Sequence, residues 1–130
     1  VGVVALACGP GLLSLVSGLA SAIVGGNSVL AVAADESAVD ACEFGEVLAT
    51  SDLPAGVVNI LVGRQSETLP TIAKHMDVQS IGFFDRAICE EIRFDAAENM
   101  KRLIQLRDKP CLAAIMDFQE MKTVWHPIGF

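Results

Sequence analysis

The sequence predicts an α/β domain: a doubly wound parallel sheet of about five strands with helices on both faces. Three observations carry that expectation. Short runs that are apolar on both faces alternate with segments of helical period, the pattern of parallel strands covered on two sides. Turn signals separate them at Gly9-Pro10-Gly11, Gly25-Gly26-Asn27 and Leu53-Pro-Ala-Gly56. The length, 130 residues, is room for one domain of ordinary size. Right-handed crossovers between such strands make the sheet Rossmann-like.

The elements follow in order. Val1 to Cys8 is an apolar, valine-rich run and reads as the first strand. Leu12 to Val24 places Leu12, Leu13, Val16, Leu19, Ala20 and Ile23 at helical intervals. Gly25-Gly26-Asn27 ends that helix, and Ser28 to Ala33 is the second buried strand. Asp35, Ser37 and Asp40 put acids and a hydroxyl at the start of the next helix, which suits its positive dipole end. That helix runs to about Thr50. Val57 to Val62 is the third strand, Ser66 to His75 a short helix and Ser80 to Phe84 the fourth strand. Arg86 to Arg107 reads as helix in two pieces meeting near Phe94-Asp95. Cys111 to Met116 is the candidate fifth strand. The domain is expected over residues 1–117, with an irregular C-terminal tail over 118–130.

Composition removes several classes. The chain is 52% hydrophobic, too apolar for disorder. With 9 Lys+Arg against 16 Asp+Glu and no basic cluster, it is not built for nucleic acid or anionic lipid. No charged residue occurs from Val1 to Ala34, which raises a membrane question. A transmembrane helix needs about 20 continuous apolar residues, and Leu12 to Val24 is shorter, broken by Ser14, Ser17, Gly18 and Ser21. No membrane partner is expected. Cys8, Cys42, Cys89 and Cys111 show no CxxC spacing and read as reduced core residues of a cytoplasmic protein. His75 and His126 stand at no ligand spacing to them, so no metal site is expected. His75 reads as a surface residue at a helix C-terminus, and Met76, Met100, Met116 and Met121 as core filler. The start at Val1, with no Met and directly on a strand, reads as part of a longer chain.

Three strings then become specific. Leu53-Pro-Ala-Gly-Val-Val-Asn-Ile-Leu-Val-Gly63 resembles the "LPPGVVNIVTG" turn and strand of aldehyde dehydrogenases. Ala22-Ile-Val-Gly-Gly-Asn-Ser-Val29 resembles their "ALAAGNTVV", and His75-Met-Asp-Val-Gln-Ser-Ile-Gly-Phe83 their "HPDVDKISF". The spacing fits without a gap from Val1 to Arg86, about two thirds of the chain. The resemblance implies the nicotinamide-cofactor-binding domain of that superfamily, an NAD(P)-dependent oxidoreductase.

The family's functional positions are mostly replaced. The resemblance puts an oxyanion-hole Asn after the first strand, where this chain has Gly9 and no side-chain donor. It ends the second strand "KPAE", whose Lys and Glu hold the adenosine ribose; here the run is Val32-Ala33-Ala34-Asp35. Asp35 keeps a carboxylate on a shorter arm and also suits a helix start. The "GxG" after the third strand survives as Gly63, with Gln65 at its second glycine. The phosphate-binding "FTGS" is Phe83-Phe84-Asp85-Arg86, with an acid in place of the glycine. Aligning the fifth-strand "KPVTLELGG" on Lys109-Pro110 puts the general-base Glu at Ala114. The nucleophilic cysteine belongs to a later domain, and Cys89 and Cys111 lack the basic or helix-start setting a nucleophile needs.

No catalytic residue is therefore expected, and Asp35 and Gly63 remain as a degraded cofactor site that would hold NAD or NADP weakly at most. An intact scaffold with a replaced site resembles the C-terminal pseudo-domain of family 16 aldehyde dehydrogenases. The expected function is a non-catalytic structural or assembly module whose partners are other domains or subunits of a larger protein. Thr123-Val-Trp125 in the tail is the candidate strand for self-association, unless Trp125 caps its own core. Two alternatives are a weak NAD(P)-binding regulatory module and part of an active dehydrogenase whose catalytic residues lie elsewhere.

Overall fold

The computed structural model describes residues 1–84, 89–107 and 111–129. Its five strands are β1 (Val3–Ala7), β2 (Ser28–Val32), β3 (Val58–Leu61), β4 (Ser80–Phe83) and β5 (Arg102–Gln105). They form one sheet in the order β3-β2-β1-β4-β5, and every neighbouring pair is parallel. The strand order reverses between β1 and β4, the switch point of a doubly wound fold. The helices are α1 (Leu12–Ile23), α2 (Ala38–Ala49), α3 (Gln65–Lys74), α4 (Glu90–Glu98) and α5 (Leu112–Asp117), with a 3-10 turn over Asp35–Ser37 before α2.

Strand alternation sorts the core into two layers. Val4 and Leu6 of β1 face Leu15 and Leu19 of α1, while Ala5 and Ala7 face Leu69 and Ile72 of α3. The central strands are buried on both faces, which is why they read as unbroken apolar runs. The uncharged opening is thus strand, helix and strand at the centre of the sheet. No described helix is long and apolar enough to cross a membrane.

The C-terminal third departs from the sequence reading. The stretch expected as two helical pieces is one helix, α4, followed by β5; the first residues of that stretch, up to Ile88, lie outside the described residues. The four-residue β5 carries Arg102 and Gln105 at its ends, so it shows no apolar run and no clear period. Charged edge strands hide in this way. The expected fifth strand, Cys111 to Met116, is mostly helix α5. Its Leu-Ala-Ala core favours helix, and a run this short is ambiguous by pattern alone.

The residue-level expectations also need correction. Only Cys8 of the four free cysteines is buried; Cys42, Cys89 and Cys111 are exposed. Met76, Met100, Met116 and Met121 are all exposed rather than core filler. Phe118, assigned to the tail, is fully buried, and Trp125 does not cap the core but is 90% exposed. Phe118 has a specific seat. A methyl on Gly82 of β4 would stand 2.9 Å from Leu6 and 3.1 Å from the Phe118 ring, so the missing side chain makes room for that ring.

The amino end of the sheet is closed by polar side chains. Asn27, 2% exposed, accepts from the Gly2 N–H at 2.9 Å and donates to the Ala22 carbonyl at 2.8 Å and the Phe118 carbonyl at 3.1 Å. The buried Lys101 amine donates to the carbonyls of His75 and Val78, near the end of α3 where carbonyls lack helical partners. Burial lowers the Lys101 pKa from its ordinary value, while the nearby Asp77 charge pulls it up. His75 is exposed at the α3 C-cap, as its place in the sequence suggests.

Candidate functional site

In doubly wound sheets, ligands bind outside the carboxyl ends of the strands, near the switch point. Here that region is built from the β1–α1 loop, the turn after β2, the β3–α3 loop and the end of β4.

The β1–α1 loop is held by its own hydroxyls. Ser14 Oγ donates to the Gly9 carbonyl at 2.5 Å and the Gly11 carbonyl at 3.0 Å. Gly11 has φ 86, a conformation that favours glycine, and its N–H donates to the buried Ser37 Oγ at 2.6 Å. An orphan amide at the start of α1, the kind of donor that could receive an anion, is therefore satisfied internally.

Asp35 and Gly63 come to this same end of the sheet. Asp35 is exposed in the first turn of the 3-10 segment. Gly63 is exposed with φ 154, and nothing stands within 4 Å of where its Cβ would be. Val32, at the end of β2 where the resemblance places a ribose-binding Lys, is fully buried in the α3-side core.

Gln65 is the residue sequence reasoning undervalued. It opens α3, and its Nε2 donates to the Cys8 carbonyl at 2.7 Å and the Val32 carbonyl at 2.9 Å. One carboxamide thus ties together the ends of β1 and β2. Gln in place of the family's second glycine was the signal. Phe84 is half-buried and lies against Gly9, and its ring meets Gly18 of α1. The place of the oxyanion Asn is therefore packed against an aromatic side chain.

The observed β5 begins one residue after Lys101. The Lys109-Pro110 match for the fifth strand lies outside the described residues, and the residues after it form helix α5 rather than a strand. Ala114, expected at the general-base position, is buried in α5 and not on a strand. Asp85 and Arg86, at the phosphate-binding position, also lie outside the described residues. The one buried thiol, Cys8, is pushed up to about 12 by burial, so it stays protonated and non-nucleophilic near neutral pH. Among the described residues, no group of three or more His, Cys, Asp or Glu is placed to hold a metal ion.

The strand order and the switch point define a Rossmann-like, doubly wound α/β domain. The sequence model of the aldehyde dehydrogenase family matches residues 10–106, and the chain belongs to that family. It is 33% identical over 102 residues to the mitochondrial aldehyde dehydrogenase of Leishmania tarentolae, covering 76% of this chain and 20% of the relative. It is 41% identical over 63 residues to a 1-pyrroline-5-carboxylate dehydrogenase of Bacillus thuringiensis, covering 48% of this chain and 12% of the relative. Among solved structures it resembles an aldehyde dehydrogenase of Pseudomonas syringae, held there with NAD+ and octanal. The TM-score is 0.73 at 29% identity, over 81% of this chain and 22% of that one. A Bartonella henselae aldehyde dehydrogenase shares the fold at TM-score 0.70 and 23% identity, over 80% of this chain and 22% of that one. The chain thus spans about a fifth of the length of such relatives.

Proposed function

We propose that this chain is a non-catalytic aldehyde-dehydrogenase-like domain, serving as a structural or assembly module of a larger oxidoreductase. The observation that carries the reading is the Gln65 clamp. The carboxamide that joins the Cys8 and Val32 carbonyls stands where the family resemblance has a glycine opening space near the adenine. Buried Val32, where the resemblance places the ribose-binding lysine, supports the same reading. So does Phe84 packed against Gly9. These residues do not fit a nicotinamide dinucleotide held as the resemblance implies, so no chemical step is derived through one.

The runner-up is a weak nucleotide-binding regulatory module, favoured by exposed Asp35 and the open space beside Gly63. Calorimetric titration with NAD and NADP separates the two. No heat of binding at micromolar ligand is expected, and micromolar affinity for either would overturn the structural reading. An aldehyde-oxidation assay on the purified chain should show no turnover, and measurable NADH production would restore the enzymatic alternative.

A further inference from the structure

The two edges of the sheet differ in how they are guarded. On β5, Arg102 donates to the Gln119 carbonyl at 3.0 Å and pairs with Glu120 at 3.7 Å, while Arg107 pairs with Asp117 at 3.4 Å. Charged side chains folded over an edge discourage further pairing. Val57-Val-Asn-Ile-Leu-Val62 at the β3 edge contains no charge, and among the described residues no ion pair lies over it.

Among the described residues, the β3 edge pairs only with β2, and it does so in a known register. The Val29 N–H bonds the Val57 carbonyl at 2.7 Å, and the Ala33 N–H bonds the Leu61 carbonyl at 2.9 Å. Odd-numbered residues of this strand therefore serve the ladder to β2. Val58, Ile60 and Val62 direct their N–H and C=O groups outward. Beside the edge runs a groove of about 590 Å³, lined by Leu48, Leu53, Pro54, Val58 and Ile60 among others.

The C-terminal segment has the complementary features. Met121, Val124, Trp125 and Ile128 are all exposed, although they are large and apolar. The segment is without helix or strand from Gln119 to Gly129. Charge also matches. From Val1 to Gly63 the chain has no Lys or Arg but carries Asp35, Glu36, Asp40, Glu43, Glu46 and Asp52. From Met121 to Phe130 the sole formal charge is Lys122.

We infer that the β3 edge is a strand-addition site, and that its occupant is Lys122–His126 of a second copy of this chain. The added strand continues the sheet past β3 through the outward groups of Val58, Ile60 and Val62. Trp125 enters the groove, and Lys122 faces the acidic α2 side. Pro127 has no N–H, so it ends the added ladder. The inference rests on the assembly reading above and specifies the surface that reading leaves open.

Trp125 is the only tryptophan and there is no tyrosine, so intrinsic fluorescence reports the segment directly. The full chain should show a blue shift and a rise in mass by sedimentation as its concentration increases. Trp125→Ala, on an exposed position, should weaken self-association by about tenfold or more. Leu61→Lys with Val62→Lys should do the same with the circular dichroism unchanged, and Lys122→Glu should weaken it less. A chain that stays monomeric at every concentration overturns the inference and leaves the non-catalytic reading to the nucleotide titration. Association that Trp125→Ala abolishes but the two edge lysines leave untouched overturns the β3 surface alone. Association insensitive to both removes the tail from the assembly reading as well.

Discussion

The two ends of the parallel sheet are closed by different means. At the amino end, Asn27 and Lys101 satisfy backbone groups far apart in the chain. At the carboxyl end, the neutral side chain of Gln65 bridges two neighbouring strands, and Ser14 and Ser37 hold the adjoining loop. Amino-end closure is common structural work in any α/β domain. Carboxyl-end closure falls where relatives of this fold bind ligands. The first set of contacts holds the domain together; the second uses up donors and acceptors that a ligand would otherwise meet.

The largest effect should come from the amino end. Asn27→Ala removes three hydrogen bonds and strands buried partners, so a loss of about 3 kcal/mol is expected in urea unfolding. A loss below that of Gln65→Ala would break the comparison. Next, Lys101→Met should cost about 2 kcal/mol, because the His75 and Val78 carbonyls lose their donor. Gln65→Ala should cost about 1 kcal/mol, since the neighbouring ladder bonds persist and the site is only part-buried. Gln65→Gly sharpens the contrast. It restores the family residue without restoring a ribose partner at Val32, so calorimetry should still detect no micromolar NAD binding.

At neutral pH the smallest effect lies at Cys8, whose contribution emerges only in alkali. Burial raises its thiol pKa from 9.0 to about 12 in the folded state. The unfolded chain loses that proton first, so stability present below pH 9 falls as the pH rises toward about 12. Replacing Cys8 with Ala should flatten that alkaline slope in thermal melts. In the native protein at neutral pH, a thiol reagent should modify Cys42, Cys89 and Cys111 but not Cys8.

How much was readable in advance follows the same geography. β1, β2 and β4 are largely buried and β3 is an uncharged, apolar run on the edge, so β1 to β4 and α1 to α3 were legible to within a few residues. The order of β5 and α5 was not. Arg102 and Gln105 make an edge strand look polar, and Leu112 to Met116 make a short helix look like a strand. At the site, Asp35 and Gly63 could be placed at one end of the sheet from their strands alone. The part played by Gln65 could not, because a side chain spanning two strand ends depends on the three-dimensional meeting of β1, β2 and α3. Phe118 was missed for a similar reason: its seat is made by Gly82, far away in sequence.

The bond from Asn27 to the Phe118 carbonyl spans 91 residues. During synthesis the chain emerges from its amino terminus, so α1 and the central strands leave the ribosome long before the residues that seal them. Until Phe118 arrives, the space beside Gly82 is empty and the turn at Asn27 lacks one acceptor. Contacts of such separation slow folding, because the loop must close before the contact contributes. A nascent chain stalled before Phe118 should therefore be sensitive to protease and become resistant once that residue has cleared the exit tunnel.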